Sequence, residues 1–182
     1  MANLSKETTR EKMILAVYEL VRQGIAVSSI SGHAVTEYCS VDKMYVSRYF
    51  GDLPGLYLAT IEYLLTVRMN SMISTDVFPM EGEMNLDPNI GVAFKLATFM
   101  SGQQEHKERL TQIGRIVTAV YAKQLERNFD VDESRAIQEA KFGLMFIAGF
   151  LSIGNLLELD SRVLQDFLDR RREELKKGSD SK

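Results

Sequence analysis

The chain has 182 residues and a formal net charge of −3, with 45% hydrophobic and 26% charged residues. These values are typical of a globular protein long enough to bury a substantial core as one domain or as a small head with a larger body. Because Cys39 is the only cysteine, an internal disulfide is excluded. The polar N-terminus does not resemble a signal peptide, so a cytoplasmic protein is expected.

The distribution of charge bears on binding to nucleic acid. Residues 1–56 contain six basic and six acidic side chains, so this segment is neutral and the remainder carries the −3. Phosphate contacts normally need a positive excess. DNA binding would therefore require that the basic side chains share one face, or that the set of contacts is small.

Helical spacing of apolar residues predicts an all-α chain, since prolines are few and strong helix formers are common. The first helix is expected to begin at a capping box, Thr8-Thr9-Arg10-Glu11, and to end at Gly24. The later helices are predicted at about residues 33–39, 43–50, 54–73, 88–100, 105–128, 133–157 and 161–177. Residues 74–87 are predicted to form a loop, and residues 178–182 to be disordered.

Aspartates precede several of these helices at capping positions. Asp42 is placed to cap the third helix, Asp52 the fourth, and Asp132 the seventh. Either Asp160 or Ser161 is expected to cap the last. A serine, Ser40, stands at the turn between the second and third helices.

The third helix is too short to be stable alone and must pack against a neighbour. On a helical wheel Val46, Tyr49 and Phe50 form its core face, while Met44 and Arg48 point the opposite way. Lys43, Tyr45 and Ser47 flank that outer face. The second and third helices thus form a helix-turn-helix unit that would insert its second helix into the major groove of DNA. There Lys43 and Arg48 suit guanine edges or phosphates, and Tyr45 and Ser47 suit phosphates or thymine methyl groups.

These residues resemble the TetR family of bacterial repressors. The first helix has the family's pattern in Ile14-Leu15-Ala16-Val17, Leu20-Val21 and Gly24, and residues 41–50 resemble its Val-Ser-Lys-x-x-Leu-Tyr-x-Tyr-Phe signature over a match covering about residues 8–65. The resemblance implies a three-helix DNA-binding head at residues 1–52 and a helical body for effector binding and dimerisation at residues 53–182. It implies a homodimeric, ligand-responsive regulator, with a repressor favoured, on a pseudo-palindromic operator in double-stranded DNA. The DNA-binding residues would be Lys43, Met44, Tyr45, Ser47, Arg48 and Tyr49.

The sequence departs from the family at two phosphate-contacting positions. Ser47 replaces the family's tyrosine, and Leu53 stands where a lysine follows the Tyr-Phe pair. These departures and the neutral head support an alternative, a TetR-like fold with weakened DNA binding that acts as a ligand sensor or protein-interaction module. An ordinary exposed face of a helical bundle is the plainer interpretation of Lys43, Tyr45 and Arg48.

The resemblance also implies an effector pocket in the body. Methionine and aromatic side chains adapt to irregular apolar cavities, although the same residues would equally serve as core. An apolar small molecule is the expected effector, and the predicted pocket residues are Met69, Met72, Phe94, Met100, Val117, Tyr121 and Phe146.

The seventh helix is apolar almost all round between Phe142 and Leu151, and such a helix must be buried on all sides. The run ending at Ile153 is too short to span a bilayer, so no membrane association is expected. A partner subunit would cover this helix and the last helix in a four-helix interface, unless the helix is internal to the monomer. The predicted interface residues are Phe142, Phe146, Gly149, Phe150, Ile153, Leu164, Phe167 and Leu168.

No catalytic motif is present, so an enzyme is not expected, and neither a cofactor nor a metal is predicted. His33 and His106 lack neighbours at ligand spacing and are expected to be solvated surface residues. Cys39 is expected to be a small buried residue of the helix pair rather than a redox sensor.

Overall fold

A computed structural model describes residues 6–74, 88–153 and 161–179, and all regular elements in these ranges are helical. The all-α prediction is therefore confirmed. The described residues fall into two compact units. The first unit contains residues 6–66 and 88–110, and the second contains residues 67–74, 111–153 and 161–179.

Helix α1 spans Lys6–Arg22 and ends at the predicted glycine. Gly24 has a φ of 89°, which is left-handed backbone that glycine adopts without steric penalty. The amide of Gly24 donates to the carbonyl of Val21, and that of Ile25 donates to Leu20, as in a Schellman motif. The predicted start is wrong. Since α1 already includes Lys6, Thr8 and Thr9 lie within the helix and form no capping box at its start.

Two short helices follow a 3₁₀ turn at Val27–Ser29. Helix α2 covers Gly32–Tyr38, with the Ser31 hydroxyl accepting a hydrogen bond from the Ala34 amide, and α3 covers Met44–Phe50. Between them Ser40 has a φ of 54°, so the chain reverses through a left-handed residue at the predicted turn. Val35 and Val46 are buried in the helix pair, which forms the expected helix-turn-helix unit.

Helix α4 spans Leu53–Ser74, within a residue of its predicted bounds. Its first turn packs closely on the end of α3. The closeness requires glycine at position 55, since a Cβ there would lie 2.1 Å from the Phe50 carbonyl oxygen. Every residue from Gly55 to Ile61 is buried. The Tyr57 hydroxyl donates towards the carbonyls of Ile30 and Val27, at 3.1 and 3.2 Å, and thereby attaches α4 to the loop before α2.

Helix α5 spans Pro88–Met100 and completes the core of the first unit. Leu96 and Met100 are fully buried, and the Phe99 ring meets the Tyr57 ring edge-on with their centroids 5.9 Å apart. Beyond α5 the Arg109 guanidinium makes a bidentate ion pair with Glu62 of α4, at 2.9 and 3.0 Å.

The second unit consists mainly of α6 (Lys107–Phe129), α7 (Glu133–Ile153) and α8 (Ser161–Ser179). Its core contains Ala122, Leu125, Phe129, Val131, Ala136, Ala140 and Leu175. Helices α6 and α7 approach closely at Gly143, where a Cβ would lie 3.3 Å from the Tyr121 ring. A bidentate ion pair from Arg171 to Glu139 joins α8 to α7.

Several helix ends differ from their predicted positions. A 3₁₀ turn at Gln104–His106 precedes α6, and α8 continues to Ser179, so Gly178 and Ser179 are helical rather than disordered. Ser74, predicted as the first residue of the loop at 74–87, is the last residue of α4. The rest of that loop lies outside the described residues, as do the predicted end of α7 at Leu157 and residues 180–182. In the described part of the chain, none of the helices is both long and apolar enough to cross a membrane.

Candidate nucleic-acid interface

Helix α3 has one buried side and one solvent-exposed side, as its wheel predicts. Val46 is 7% exposed, and Tyr49 and Phe50 are half-buried. On the other side Met44 is 70% exposed, and Arg48 is also exposed. Lys43 and Ser47 are exposed and Tyr45 is half-buried, so the predicted contact residues flank one accessible face.

Local hydrogen bonds fix the ends of this helix. The Asp42 carboxylate accepts from the Met44 amide at 2.8 Å, which confirms it as a cap at the positive end of α3. The Ser47 hydroxyl donates to the Met44 carbonyl at 3.0 Å. Its proton is therefore engaged within the helix, and a phosphate contact through Ser47 would require this hydrogen bond to break.

Three aromatic rings form a row along α3. Tyr45 and Tyr49 stack with their centroids 5.5 Å apart, and Phe50 meets Tyr49 edge-on at 6.4 Å. The guanidinium of Arg10, from α1, lies 5.4 Å from the centre of the Phe50 ring. This cation–π contact brings a basic residue of α1 to the end of the helix-turn-helix unit.

Most carboxylates of the head are engaged in contacts. Glu19 pairs with Arg22 at 2.8 Å, Glu11 accepts from the Tyr63 hydroxyl at 3.1 Å, and Glu37 lies 3.8 Å from His33. The Asp52 carboxylate accepts from the Gly55 amide at 2.6 Å and caps α4, as predicted.

Among the described residues, by contrast, no carboxylate pairs with Arg10, Lys43 or Arg48. The neutral head thus has unneutralised positive charge on α3 and at the Arg10 contact, which its net charge does not reveal.

The cysteine and the two histidines have different surroundings. The Cys39 thiol is half-buried and donates to the Val35 carbonyl, and burial raises its pKa, so it remains a protonated structural residue. His33 is exposed as predicted. His106 is not a solvated residue: its side chain is 21% exposed and lies 3.7 Å from the Asp52 carboxylate.

The predicted pocket residues are divided between the two units. In the first, Met100 is fully buried and Phe94 is half-buried on the same helix, α5. In the second, Val117 is half-buried, and Tyr121 and Phe146 pack against the core of that unit. Burial, with a smaller effect from Glu139, raises the pKa of Tyr121 to about 12. The side chains of Met69 and Met72, on α4, lie outside the described residues.

The predicted dimer residues lie on α7 and α8, which pack together through aromatic rings. Phe146 stacks on Phe167 with centroids 3.6 Å apart, and Phe142 lies 5.9 Å from the same ring while remaining 42% exposed. Gly149 and Phe150 are half-buried. The side chains of Ile153, Leu164 and Leu168 lie outside the described residues.

Comparison with solved structures places this arrangement among known folds. The chain is similar to the multidrug binding protein EbrR, crystallised with imidazole, with a TM-score of 0.57 over 89% of this chain and 88% of that one. The chain shares the all-α fold of EbrR. At 15% identity the likeness to EbrR concerns the fold alone.

The TetR-family repressor AlkX of Dietzia sp. strain DQ12-45-1b, implicated in n-alkane biodegradation, aligns over 93% of this chain and 98% of its own, with 14% identity and a TM-score of 0.48. The sequence matches no family model and no curated protein. The fold is thus shared with a solved structure whose sequence is only 15% identical.

Proposed function

We propose that the protein is a ligand-responsive, DNA-binding transcription regulator that acts in the cytoplasm, most simply as a repressor. The observation that carries this proposal is the exposed face of α3, on which Lys43, Met44 and Arg48 project from a helix-turn-helix unit in the fold shared with EbrR. Residues 1–52 would contact DNA, and residues 53–182 would bind the effector and dimerise.

The charges and ends of α3 support a role in the major groove. An α-helix fits that groove, and its N-terminal residues lie nearest to base edges. Lys43 and Arg48 have no carboxylate partner among the described residues, so binding DNA would break no ion pair at these two positions. Arg48 suits a guanine edge or a phosphate, and Lys43 suits a phosphate.

A helix anchored to the head could transmit an effector signal. Tyr57 ties α4 to the loop before α2, Glu11 of α1 accepts from Tyr63, and the close contact at Gly55 fixes the corner with α3. A shift of α4 would therefore move α3, the helix proposed to enter the major groove and called the reading helix below. An effector acts in this way only if it binds one of the two arrangements more tightly than the other. EbrR is a multidrug binding protein, which supports a small molecule as the effector here.

Self-association through α7 and α8 would present two heads to one operator. Large apolar side chains remain exposed on these helices, with Phe142 at 42%, Met145 at 65% and Val163 at 43%. An exposed apolar patch of this kind is typical of an interaction surface. A twofold dimer would read successive half-sites of a pseudo-palindromic operator in adjacent major grooves.

Selection from a random-sequence duplex library, followed by sequencing, tests this proposal. We expect a palindromic site to be enriched at moderate salt, with affinity that falls steeply as salt rises. Arg48→Ala should weaken binding by roughly 1 to 3 kcal/mol if Arg48 reads a base. Arg115→Ala, an exposed arginine of α6, is the matched control and should leave affinity unchanged. Failure to enrich any site would contradict the proposal.

The second candidate function is a ligand sensor or protein-interaction module with weakened DNA binding. It is supported by Ser47 and Leu53, which replace two phosphate-contacting residues of the family, and by the engaged Ser47 hydroxyl. Titration of labelled duplex against salt discriminates the two candidates. Specific binding with a steep salt dependence supports the regulator, whereas no binding even at low salt supports the sensor.

A further inference from the structure

A cation from outside the helix-turn-helix unit lies at the end of the reading helix. Arg10 belongs to α1, and its guanidinium lies 5.4 Å from the centre of the ring of Phe50, the last residue of α3. Arg10 is exposed, and no carboxylate of the described residues pairs with it. Glu11, its neighbour in sequence, instead accepts a hydrogen bond from Tyr63.

Stacking on a ring leaves the donors of a guanidinium available. A cation–π contact made through the flat face of a guanidinium leaves its five N–H donors in the plane, pointing outward. Such an edge matches a phosphate in bidentate geometry. Support by the ring also reduces the rotamer freedom that Arg10 would lose on binding an anion.

The position of this pair suits the DNA backbone rather than the bases. In helix-turn-helix complexes the reading helix presents its N-terminal residues to base edges, and phosphates are contacted by neighbouring helices and by the far end of the reading helix. Phe50 is at that far end, and its ring continues the row formed by Tyr49 and Tyr45. Arg10 therefore lies where a flanking phosphate would pass.

We propose that Arg10, oriented by the Phe50 ring, is a phosphate-binding residue that anchors the DNA backbone beside α3. Its phosphate contact would compensate in part for the phosphate contacts that Ser47 and Leu53 do not make. The inference rests on the proposed function, since it concerns the same interface. The expected ligand group is a DNA phosphate, so the contact should be independent of base sequence.

The test measures the salt dependence of binding to the duplex enriched from the random library and to a shuffled duplex of equal length. Each phosphate contact contributes about 0.9 to the slope of log K against log salt concentration. Arg10→Gln should lower the slope by about that amount and weaken binding to both duplexes by the same factor. Arg22→Gln is the matched control, because it makes the same change of charge on the same helix at a residue paired with Glu19.

A second pair of variants separates charge from orientation. Phe50→Leu retains the Arg10 charge but removes the stacking surface, so the salt slope should persist while affinity falls. Arg10→Lys should do the same, because an ammonium group cannot make the bidentate contact. Thermal melting of each variant shows whether it is folded, and Arg10→Lys provides the readout if Phe50→Leu unfolds.

The outcomes distinguish this inference from the proposed function. Wild-type binding with an equal slope in Arg10→Gln and Arg22→Gln overturns the role of Arg10 and leaves the regulator intact. Absence of DNA binding by the wild-type chain overturns both. A slope lowered in Arg10→Gln alone, with an equal loss of affinity on the two duplexes, establishes the phosphate anchor.

Discussion

Tyr57 is a buried residue whose polar group is tied to the head. Its side chain is 2% exposed, and its hydroxyl lies within hydrogen-bonding distance of two loop carbonyls. Tyr57→Phe keeps the ring but leaves those carbonyls without this donor, which should lower the free energy of unfolding by about 1 to 3 kcal/mol. Chemical denaturation at neutral pH measures this loss.

The same residue predicts how stability depends on pH. Burial raises the pKa of Tyr57 from 10.0 to about 12, so the folded chain retains a proton that the unfolded chain releases near pH 10. Its contribution to stability is therefore complete below pH 10 and is lost as the pH rises towards 12. Denaturation curves over this range should show a shallower loss of stability in Tyr57→Phe than in wild type. Equal slopes would contradict the prediction.

Ser47 and Leu53 occupy positions at which the TetR family, which this sequence resembles, has phosphate-contacting residues. Each position can be substituted separately to restore one contact. Ser47 is exposed and Leu53 is half-buried at the first residue of α4. Ser47→Tyr adds a neutral donor and should tighten binding several-fold without changing the salt slope, whereas Leu53→Lys adds a cation and should raise the slope by about 0.9. Titration of the enriched duplex measures both. If neither variant binds more tightly, the assignment of these positions to phosphate contacts is wrong.

At the scale of elements, the caps and helix faces could be predicted because their causes are local. Asp42, Asp52 and Asp132 cap the predicted helices, since a carboxylate at the start of a helix accepts from amides only two or three residues away. The faces of α3 follow from a fixed rotation of 100° per residue.

Contacts between distant segments could not be predicted in this way. Arg10 reaches Phe50, and His106 reaches Asp52, only because the tertiary fold brings their helices together. The sequence indicated a role for Arg10 only weakly, because it shows no more than a basic residue on the helix that precedes the helix-turn-helix unit. Nothing in the sequence indicated the contact of His106, since its separation from Asp52 along the chain is unrelated to their distance in the fold.

The turn between α2 and α3 contains a strained residue. Ser40 has a φ of 54°, a conformation that is unfavourable for residues with a Cβ and readily adopted by glycine. Ser40→Gly should therefore raise the free energy of unfolding by about 0.5 to 1 kcal/mol, since relief of the left-handed strain exceeds the entropy that glycine adds to the unfolded chain. Gly51→Ala is the converse control at a φ of 82° with no atom near its Cβ position, and it should destabilise through the backbone alone. A loss of stability in Ser40→Gly, measured by urea denaturation, would contradict this account of the turn.

At the scale of the whole molecule, the proposed twofold assembly depends on α7 and α8. Phe146 and Phe167 stack on each other within one chain, so part of the apolar surface that the sequence predicts to face a partner is covered internally. Among the described side chains of these helices, Phe142, Met145 and Val163 are large, apolar and accessible to a second copy.

Met145 gives the sharpest test of this assembly, because it is 65% exposed and a charge there should leave the folded monomer intact. Met145→Glu would place a carboxylate in an apolar interface, where an unpaired charge is strongly unfavourable. We expect sedimentation velocity to show a dimer for wild type and a monomer for this variant. The variant should also bind the full palindrome no more tightly than an isolated half-site, because the gain from bivalent binding is lost. Ile116→Glu, on α6 and 50% exposed, is the matched control and should remain dimeric. If Met145→Glu stays dimeric while Ile116→Glu dissociates, the interface lies on α6 rather than on α7 and α8.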